Sequence, residues 1–177
     1  MCGRFTLTIH HIGDVVEQLG ARVAPEIVDL YRPRYNVAPS DVHWLLRAKE
    51  GREVFAGQWG LINHWSKDPR VGFKQINARA ETLRERPAYR YAFERKRCLV
   101  LADGFYEWQG PRSQRQPLWF TPADGGLLLL AGLYDGWREP ETGDLIRTFT
   151  VITTEPSDGV GPVQDRMPAI NDVEAID

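Results

Sequence analysis

The chain has 177 residues, of which 42% are hydrophobic and 26% charged, and its formal net charge is −2. This length favours one domain with a substantial core, and the small net charge argues against a protein that coats duplex DNA through a broad basic surface. No apolar run approaches the roughly 20 residues that span a bilayer, and the start MCGRFTLTIHH lacks the parts of a signal peptide, so we expect a cytoplasmic or nucleoid-associated protein without membrane contact.

Hydrophobic periodicity predicts one amphipathic helix near the N-terminus, where Ile12, Val15, Val16 and Leu19 recur at helical spacing before Gly20. Farther along, strands are predicted at 42–46, 54–61, 98–101, 117–121, 127–133 and 145–153. Short helical pieces are predicted at 78–86 and 88–97. Turns between strands are predicted at 104, 110, 125–126 and 135–136.

The predicted strands do not alternate regularly with helices. The pattern therefore predicts an α+β fold that is mostly antiparallel β, with a few short helices. We expect the sheet to curl into a barrel-like or sandwich-like core in one domain over residues 1–177.

The N-terminus carries the sharpest chemical feature. Cys2 follows the initiator Met1, which is usually removed before so small a side chain. Removal would leave a free α-amine beside the thiol, and such a 1,2-aminothiol can add its amine to an aldehyde and then close a thiazolidine ring. The alternative is that Cys2 is merely a small residue that opens a strand. The only other cysteine is Cys98, and no histidine has metal-ligand spacing, so we expect neither a metal nor a cofactor.

Two further motifs combine polar and aromatic residues. In INARAET at 76–82, Asn77 could donate to a substrate oxygen and Arg79 could hold a phosphate, or Asn77 could simply cap a helix. In ADGFYEW at 102–108, the aromatic neighbours of Glu107 favour a raised carboxyl pKa and acid–base chemistry. Alternatively, Glu107 lies on the solvent-exposed face of an edge strand.

Other residues are candidates for a nucleic-acid surface. Trp65 lies in a polar stretch and Pro39 ends the run RYNVAP, so both could wedge beside unstacked bases. Residues 84–97 are mostly basic, which favours a solvated helix face over a basic groove.

Taken together, these motifs resemble the SOS-response-associated peptidase (SRAP) family. Matching segments follow the family order along nearly the whole chain: MCGRF at 1–5, RYNVAP at 34–39, WGL at 59–61, INARAET at 76–82, CLVLADGFYEW at 98–108 and VQDRMPAI at 163–170. The resemblance implies a compact, mostly β fold with a positively charged groove for single-stranded DNA. We expect a monomer that binds abasic single-stranded DNA without an obligate protein partner.

The resemblance also implies roles for individual residues. The mature N-terminal Cys2 would form a thiazolidine with the ring-opened aldehyde of an abasic site and so shield the lesion. Asn77 matches the family's Asn that positions this cysteine and the opened sugar, and Glu107 matches its acid–base Glu. Positions that match DNA contacts are Arg4, Asn36, Pro39, Trp65, Arg79, Arg86 and Arg166.

The chain departs from the family pattern at two places. Gln164 stands where the family usually has His, and an amide can hydrogen-bond but cannot titrate near pH 7. The sequence ends at Asp177 in the start of a predicted helix, so we expect the usual C-terminal segment to be lacking. Two alternative functions remain: a thiol-dependent autoprocessing peptidase, disfavoured because only Met1 precedes Cys2, and a degenerate member that binds single-stranded DNA without efficient chemistry.

Overall fold

A computed structural model describes residues 2–111 and 113–176. Its strands within these residues are β1 (Phe5–Leu7), β2 (Arg22–Val23), β3 (Arg34–Val37), β4 (Val42–Ala48), β5 (Arg52–Trp59), β6 (Asn77–Arg79), β7 (Arg97–Ala102), β8 (Gly104–Gln109), β9 (Gln116–Phe120), β10 (Leu128–Arg138), β11 (Leu145–Thr154), β12 (Met167–Pro168) and β13 (Ile170–Asn171). The α-helices are α1 (Ile12–Gln18), α2 (Pro25–Leu30) and α3 (Pro87–Arg95), and short 3₁₀ helices cover Pro69–Lys74, Ala80–Thr82 and Val173–Ile176.

Five strands close into a barrel. β4 pairs antiparallel with β5 and β7, and β10 pairs antiparallel with β7 and β11. Antiparallel pairs alone cannot close a ring with an odd number of strands, and the remaining seam, between β5 and β11, is indeed parallel, with Phe149 opposite Trp59. The predicted α+β fold, mostly antiparallel and barrel-like, is confirmed.

The start of the chain enters a second sheet, with strand order β3–β1–β8–β9. A buried carboxylate holds β1 in this sheet, because Asp103 accepts hydrogen bonds from the Thr6 hydroxyl and the Thr8 backbone N–H, both at 2.5 Å. Trp119 of β9 donates its Nε1–H to the same Thr6 hydroxyl at 3.1 Å. Cys2 lies just before β1, so this network fixes the position from which the N-terminal residues reach the barrel.

Side chains alternate along the barrel strands and divide between separate cores. Leu45 and Leu130 belong to a cluster that also contains Cys2. Their sequence neighbours Leu46 and Leu129 belong to a second cluster with α1 and α2. A third cluster packs α3 against β10 and β11. The N-terminal cysteine is thus part of the core rather than of a loose tail.

The structure confirms α1, which ends at Gln18 and is followed by Gly20 with a φ of 58°, and it confirms each predicted strand with shifted ends. The helix predicted at 88–97 is confirmed as α3, although Arg97 already belongs to β7. The helix predicted at 78–86 is wrong, since Asn77–Arg79 pairs in parallel with β11 and only a 3₁₀ turn follows. Backbone pairing here outweighs local helix propensity.

Two of the predicted turns are also wrong. The segment 135–136 lies inside β10, with Asp135 opposite Thr148 on β11. Gly104 opens β8 and lies opposite Thr6 of β1. A Cβ atom at position 104 would lie 2.1 Å from Nε1 of Trp119, so glycine is required there by the close approach of an indole ring and not by a turn.

A buried histidine makes the fold sensitive to acid. His43 lies in β4 with its Nε2 donating to the Leu101 carbonyl oxygen at 2.6 Å, and burial lowers the pKa of His43 from 6.5 to about 4. The unfolded chain binds this proton more readily, so the neutral buried ring contributes stability that is complete above pH 6.5 and is lost as the pH falls towards 4.

We expect His43→Gln to reduce the loss of stability on acidification. The histidine accounts for about 2 kcal/mol of the difference in unfolding free energy between pH 7 and pH 4.5. Urea denaturation of the variant and the wild type at both pH values measures this difference, and the exposed His11 changed to Gln serves as the control. An identical pH dependence in His43→Gln and the wild type would contradict this role of His43.

Candidate active site

Cys2 is fully buried where the barrel meets the second sheet. Its Sγ lies 3.6 Å from the Arg4 carbonyl oxygen. Burial, and after it the nearby Glu107 carboxylate, raise the pKa of the Cys2 thiol to about 12. The thiol is therefore protonated at neutral pH, and sulfur can attack an electrophile only if a neighbouring group removes its proton.

Asn77 reaches Cys2 from a distant part of the chain. Parallel pairing of β6 with β11 places Asn77 opposite Val151, and its Nδ2 donates to the Cys2 carbonyl oxygen at 2.8 Å. The Asn77 Oδ1 is buried and has no hydrogen-bond partner among the described residues, which leaves an acceptor close to the Cys2 backbone. The helix-capping role considered for Asn77 is wrong because the residue opens a strand.

Glu107 faces the interior from the middle of β8, with 1% of its surface exposed, so the alternative of a wet edge-strand face is wrong. Gln164 donates its Nε2–H to Glu107 Oε2 at 3.2 Å. Burial raises the pKa of the Glu107 carboxyl, which therefore keeps its proton to higher pH than an ordinary glutamate. The amide of Gln164 thus contacts a group that can carry a proton.

These four residues lie far apart in sequence but form one connected cluster, which we name the Cys2 pocket. Asn77 is hydrogen-bonded to Cys2, and Gln164 is hydrogen-bonded to Glu107. The negative charge of Glu107 also contributes to the raised pKa of the Cys2 thiol. The pocket combines a nucleophile, a carboxyl group suited to proton transfer and an amide acceptor. This combination suits nucleophilic addition to a carbonyl group.

A cavity of about 320 Å³ adjoins the N-terminal strand on the other face of β8. It is lined by Arg4, Tyr35, Asn36, Tyr106, Trp108 and Pro117. The structure thus brings Arg4 and Asn36 together and adds three aromatic rings that sequence analysis did not single out as a binding surface. Side chains in a β-strand point alternately to its two faces. The segment FYEW at 105–108 therefore indicates that Tyr106 and Trp108 face away from Glu107.

Arg79 and Arg166 both lie beside Thr153, near the end of β11. Arg79 lies opposite Thr153, and Arg166 donates to the Thr153 carbonyl oxygen at 2.6 Å. Arg166 also forms a bidentate ion pair with Glu81, at 2.7 and 3.0 Å. The hydrogen bonds from Arg166 lower the pKa of Glu81 to about 2. Arg166 is therefore held in a fixed orientation by the protein.

The other predicted DNA contacts lie on separate elements. Trp65 is 57% exposed and borders a different cavity, of about 280 Å³, together with Asn63 and Ala88. Pro39 lies in the turn after β3, and Arg86 is exposed immediately before α3. Among residues 2–111 and 113–176, no hydrogen bond joins these three side chains to the Cys2 pocket.

A family model described as SOS response associated peptidase (SRAP) matches residues 1–177. The chain belongs to the SRAP family. Abasic site processing protein YoqW of Bacillus subtilis is 41% identical over 174 residues, which cover 96% of this SRAP chain and 75% of YoqW. Abasic site processing protein HMCES of Xenopus tropicalis is 36% identical over 174 residues, covering 81% of this chain and 52% of HMCES.

The SRAP fold is also found in solved structures. An X-ray structure of a protein from Bacteroides thetaiotaomicron has a TM-score of 0.88 and 26% sequence identity, covering 99% of this chain and 79% of that chain. These comparisons confirm the resemblance inferred from the motifs. In the part of this SRAP chain that the structure describes, no group of three or more His, Cys, Asp or Glu side chains is arranged to hold a metal ion, and no helix is long and apolar enough to cross a membrane.

Proposed function

We propose that this protein recognises abasic sites in single-stranded DNA and, once Met1 is removed, forms a covalent thiazolidine crosslink through Cys2 that shields the lesion. The observation that carries the proposal is the buried Cys2, which has Asn77 on its carbonyl oxygen and Glu107 beside its thiol. The names of YoqW and HMCES, abasic site processing proteins, support the choice of substrate. The protein would act as a monomer.

The reaction needs only groups in this pocket and the aldehyde of the opened sugar. The free α-amine of Cys2 adds to the aldehyde carbon, and protonated Glu107 donates its proton to the hydroxyl group that leaves as water. Ionised Glu107 then takes the thiol proton as sulfur bonds to the iminium carbon, which closes the ring and neutralises the nitrogen. One aldehyde and one aminothiol give one thiazolidine and one water, and Glu107 ends in its starting state.

Asn77 would orient the amine for this attack. Its Nδ2 already holds the Cys2 carbonyl oxygen, and its unpaired buried Oδ1 can accept an N–H of the α-amine once Met1 is gone. A buried acceptor without a partner is costly, so the free amine would satisfy a group that is otherwise unsatisfied. This arrangement directs the amine lone pair instead of leaving the N-terminus mobile.

The DNA strand would run past the Cys2 site and contact side chains from several elements of the fold. Arg4, Arg79, Arg86 and Arg166 would contact phosphates, Asn36 would donate to the backbone or a base, and Pro39 and Trp65 would support unstacked bases. Arg166 would do so from the orientation imposed by Glu81 and Thr153.

A denaturing gel tests the proposal directly. The Met-processed protein is incubated with an abasic oligonucleotide, the same oligonucleotide without the lesion, and a fully duplex form. A slow-migrating band that survives heating in denaturant, and appears only with the abasic single strand, is the expected result. Cleavage of a peptide substrate without this band would support an autoprocessing peptidase, and a native gel shift without covalency would support a member that only binds DNA.

Gln164→His should speed crosslink formation, crosslink reversal, or both. A histidine with a pKa near 6.5 can exchange protons at neutral pH, whereas an amide cannot, and the substituted side chain would contact the Glu107 carboxyl. A catalyst lowers the barrier in both directions, so Gln164 favours a crosslink that forms slowly and lasts long. Single-turnover crosslinking from pH 5 to 8, with release into excess competitor, measures both rates. Unchanged rates and pH profiles in a folded variant would place Gln164 outside the proton-transfer path.

A further inference from the structure

Asp135 is a buried carboxylate that the proposed chemistry does not use. It lies within β10, is fully buried and accepts four hydrogen bonds. Its Oδ1 accepts from Lys96 Nζ at 2.5 Å and from the Gly136 N–H at 2.8 Å. Its Oδ2 accepts from the backbone N–H of His64 at 2.8 Å and from the ring Nδ1 of the same residue at 2.9 Å. Both hydrogen bonds to Oδ2 thus come from His64, which lies in a neighbouring turn.

That turn covers residues 63–66 and carries Trp65. Its ends are fixed by two other bonds, because Asn63 donates to the Ala88 carbonyl oxygen at 2.7 Å and Trp137 donates to the Ser66 carbonyl oxygen at 2.8 Å. Asp135 holds the middle of the turn immediately before Trp65. The indole itself is 57% exposed.

We infer that Asp135 is a positioning residue that presents Trp65 to single-stranded DNA. A buried carboxylate is weak support for stability, since apolar packing often replaces it without loss. A carboxylate oxygen that binds both the backbone and the side chain of His64 instead fixes one backbone geometry at the base of Trp65. This inference rests on the proposed function, because it needs Trp65 to contact unstacked bases.

Asparagine at position 135 offers a sharp test. Asparagine keeps the size of the side chain but has only one acceptor oxygen, whereas each oxygen of Asp135 accepts from two donors. In either orientation, the amide NH₂ group therefore faces two donors and loses both of their hydrogen bonds. We expect Asp135→Asn to weaken binding of an intact oligonucleotide by about the same factor as Trp65→Ala, between about fivefold and a hundredfold. The crosslinking rate at saturating abasic DNA should stay at the wild-type value, because the Cys2 pocket is not touched.

The double variant separates positioning from a general loss of stability. Adding Asp135→Asn to Trp65→Ala should cause no further loss of affinity, since both remove the same contact. Leu46→Ala, a core change in a different cluster, provides a destabilised control that should bind DNA normally. In protein labelled with 5-fluorotryptophan, the ¹⁹F resonance assigned through Trp65→Phe should move in Asp135→Asn. If Asp135→Asn fails to fold, His64→Ala removes the ring bond alone and should give a smaller loss in the same direction.

Distinct results would overturn the inference or the proposed DNA surface. Normal affinity in Asp135→Asn alongside weak binding by Trp65→Ala would overturn the inference alone, as would additive losses in the double variant or an unmoved Trp65 resonance. Normal affinity in Trp65→Ala would remove Trp65 from the DNA surface and the inference with it. The crosslinking gel would still decide whether the Cys2 chemistry occurs.

Discussion

Cys2→Ala should abolish the denaturation-resistant adduct with abasic DNA, whereas Cys98→Ala should form it at the wild-type yield. Alanine leaves an N-terminal amine that can still form an imine, but an imine hydrolyses and leaves no ring that survives denaturation. The two cysteines are matched controls, since both are almost fully buried and burial raises the thiol pKa of each. Only Cys2 carries an amine that removal of Met1 can free.

Reduction with borohydride separates the two steps of the reaction. It should trap an imine on Cys2→Ala, while untreated Cys2→Ala shows no stable band. Cys2→Ser should be nearly as defective as Cys2→Ala, because an oxazolidine hydrolyses more readily than a thiazolidine. Intact-mass measurement of each sample establishes that Met1 has been removed. A stable adduct of wild-type yield on processed Cys2→Ala would show that another nucleophile acts.

The motifs led to the pocket because their chemistry is local in sequence. Cys2 and Glu107 stood out through immediate neighbours, namely a removable methionine and flanking aromatic residues. Periodicity likewise predicted α1 and the long barrel strands. The structure then supplied what no local pattern contains: the contact of Asn77 with Cys2, across 75 sequence positions, and that of Gln164 with Glu107, across 57.

Sequence reasoning failed where tertiary pairing overrode local preference. INARAE resembles a helix start, yet Asn77–Arg79 is a strand because β11 offers it a parallel partner. Asp135–Gly136 resembles a turn, yet it lies in a continuous strand. The partners that make a buried charge acceptable there, Lys96 and His64, are remote in sequence. The dipeptide Asp-Gly alone therefore does not distinguish a turn from a buried carboxylate that is paired with distant residues.

Glu107→Gln should slow crosslinking by about a hundredfold or more and leave the affinity for an intact single strand unchanged. The amide preserves the shape of the side chain and can still accept the hydrogen bond from Gln164, but it can neither give a proton to the departing water nor take one from the thiol. The Cys2 thiol needs a base because burial raises its pKa to about 12, so the sulfur does not ionise by itself at neutral pH. Glu85→Gln, an exposed change, is the matched control.

The pH profile distinguishes proton transfer from positioning. In the wild type, the single-turnover rate should rise and then fall with pH, because it needs a neutral α-amine and a protonated Glu107 at the same time. Burial raises the pKa of Glu107, so more of the protein carries the proton that Glu107 must donate than with an ordinary carboxyl group. Glu107→Gln should lack the falling limb and keep the rising one. Equal losses of affinity and rate, with both limbs retained, would instead mean that Glu107 only orders the pocket, and the proton would then have to travel through another group.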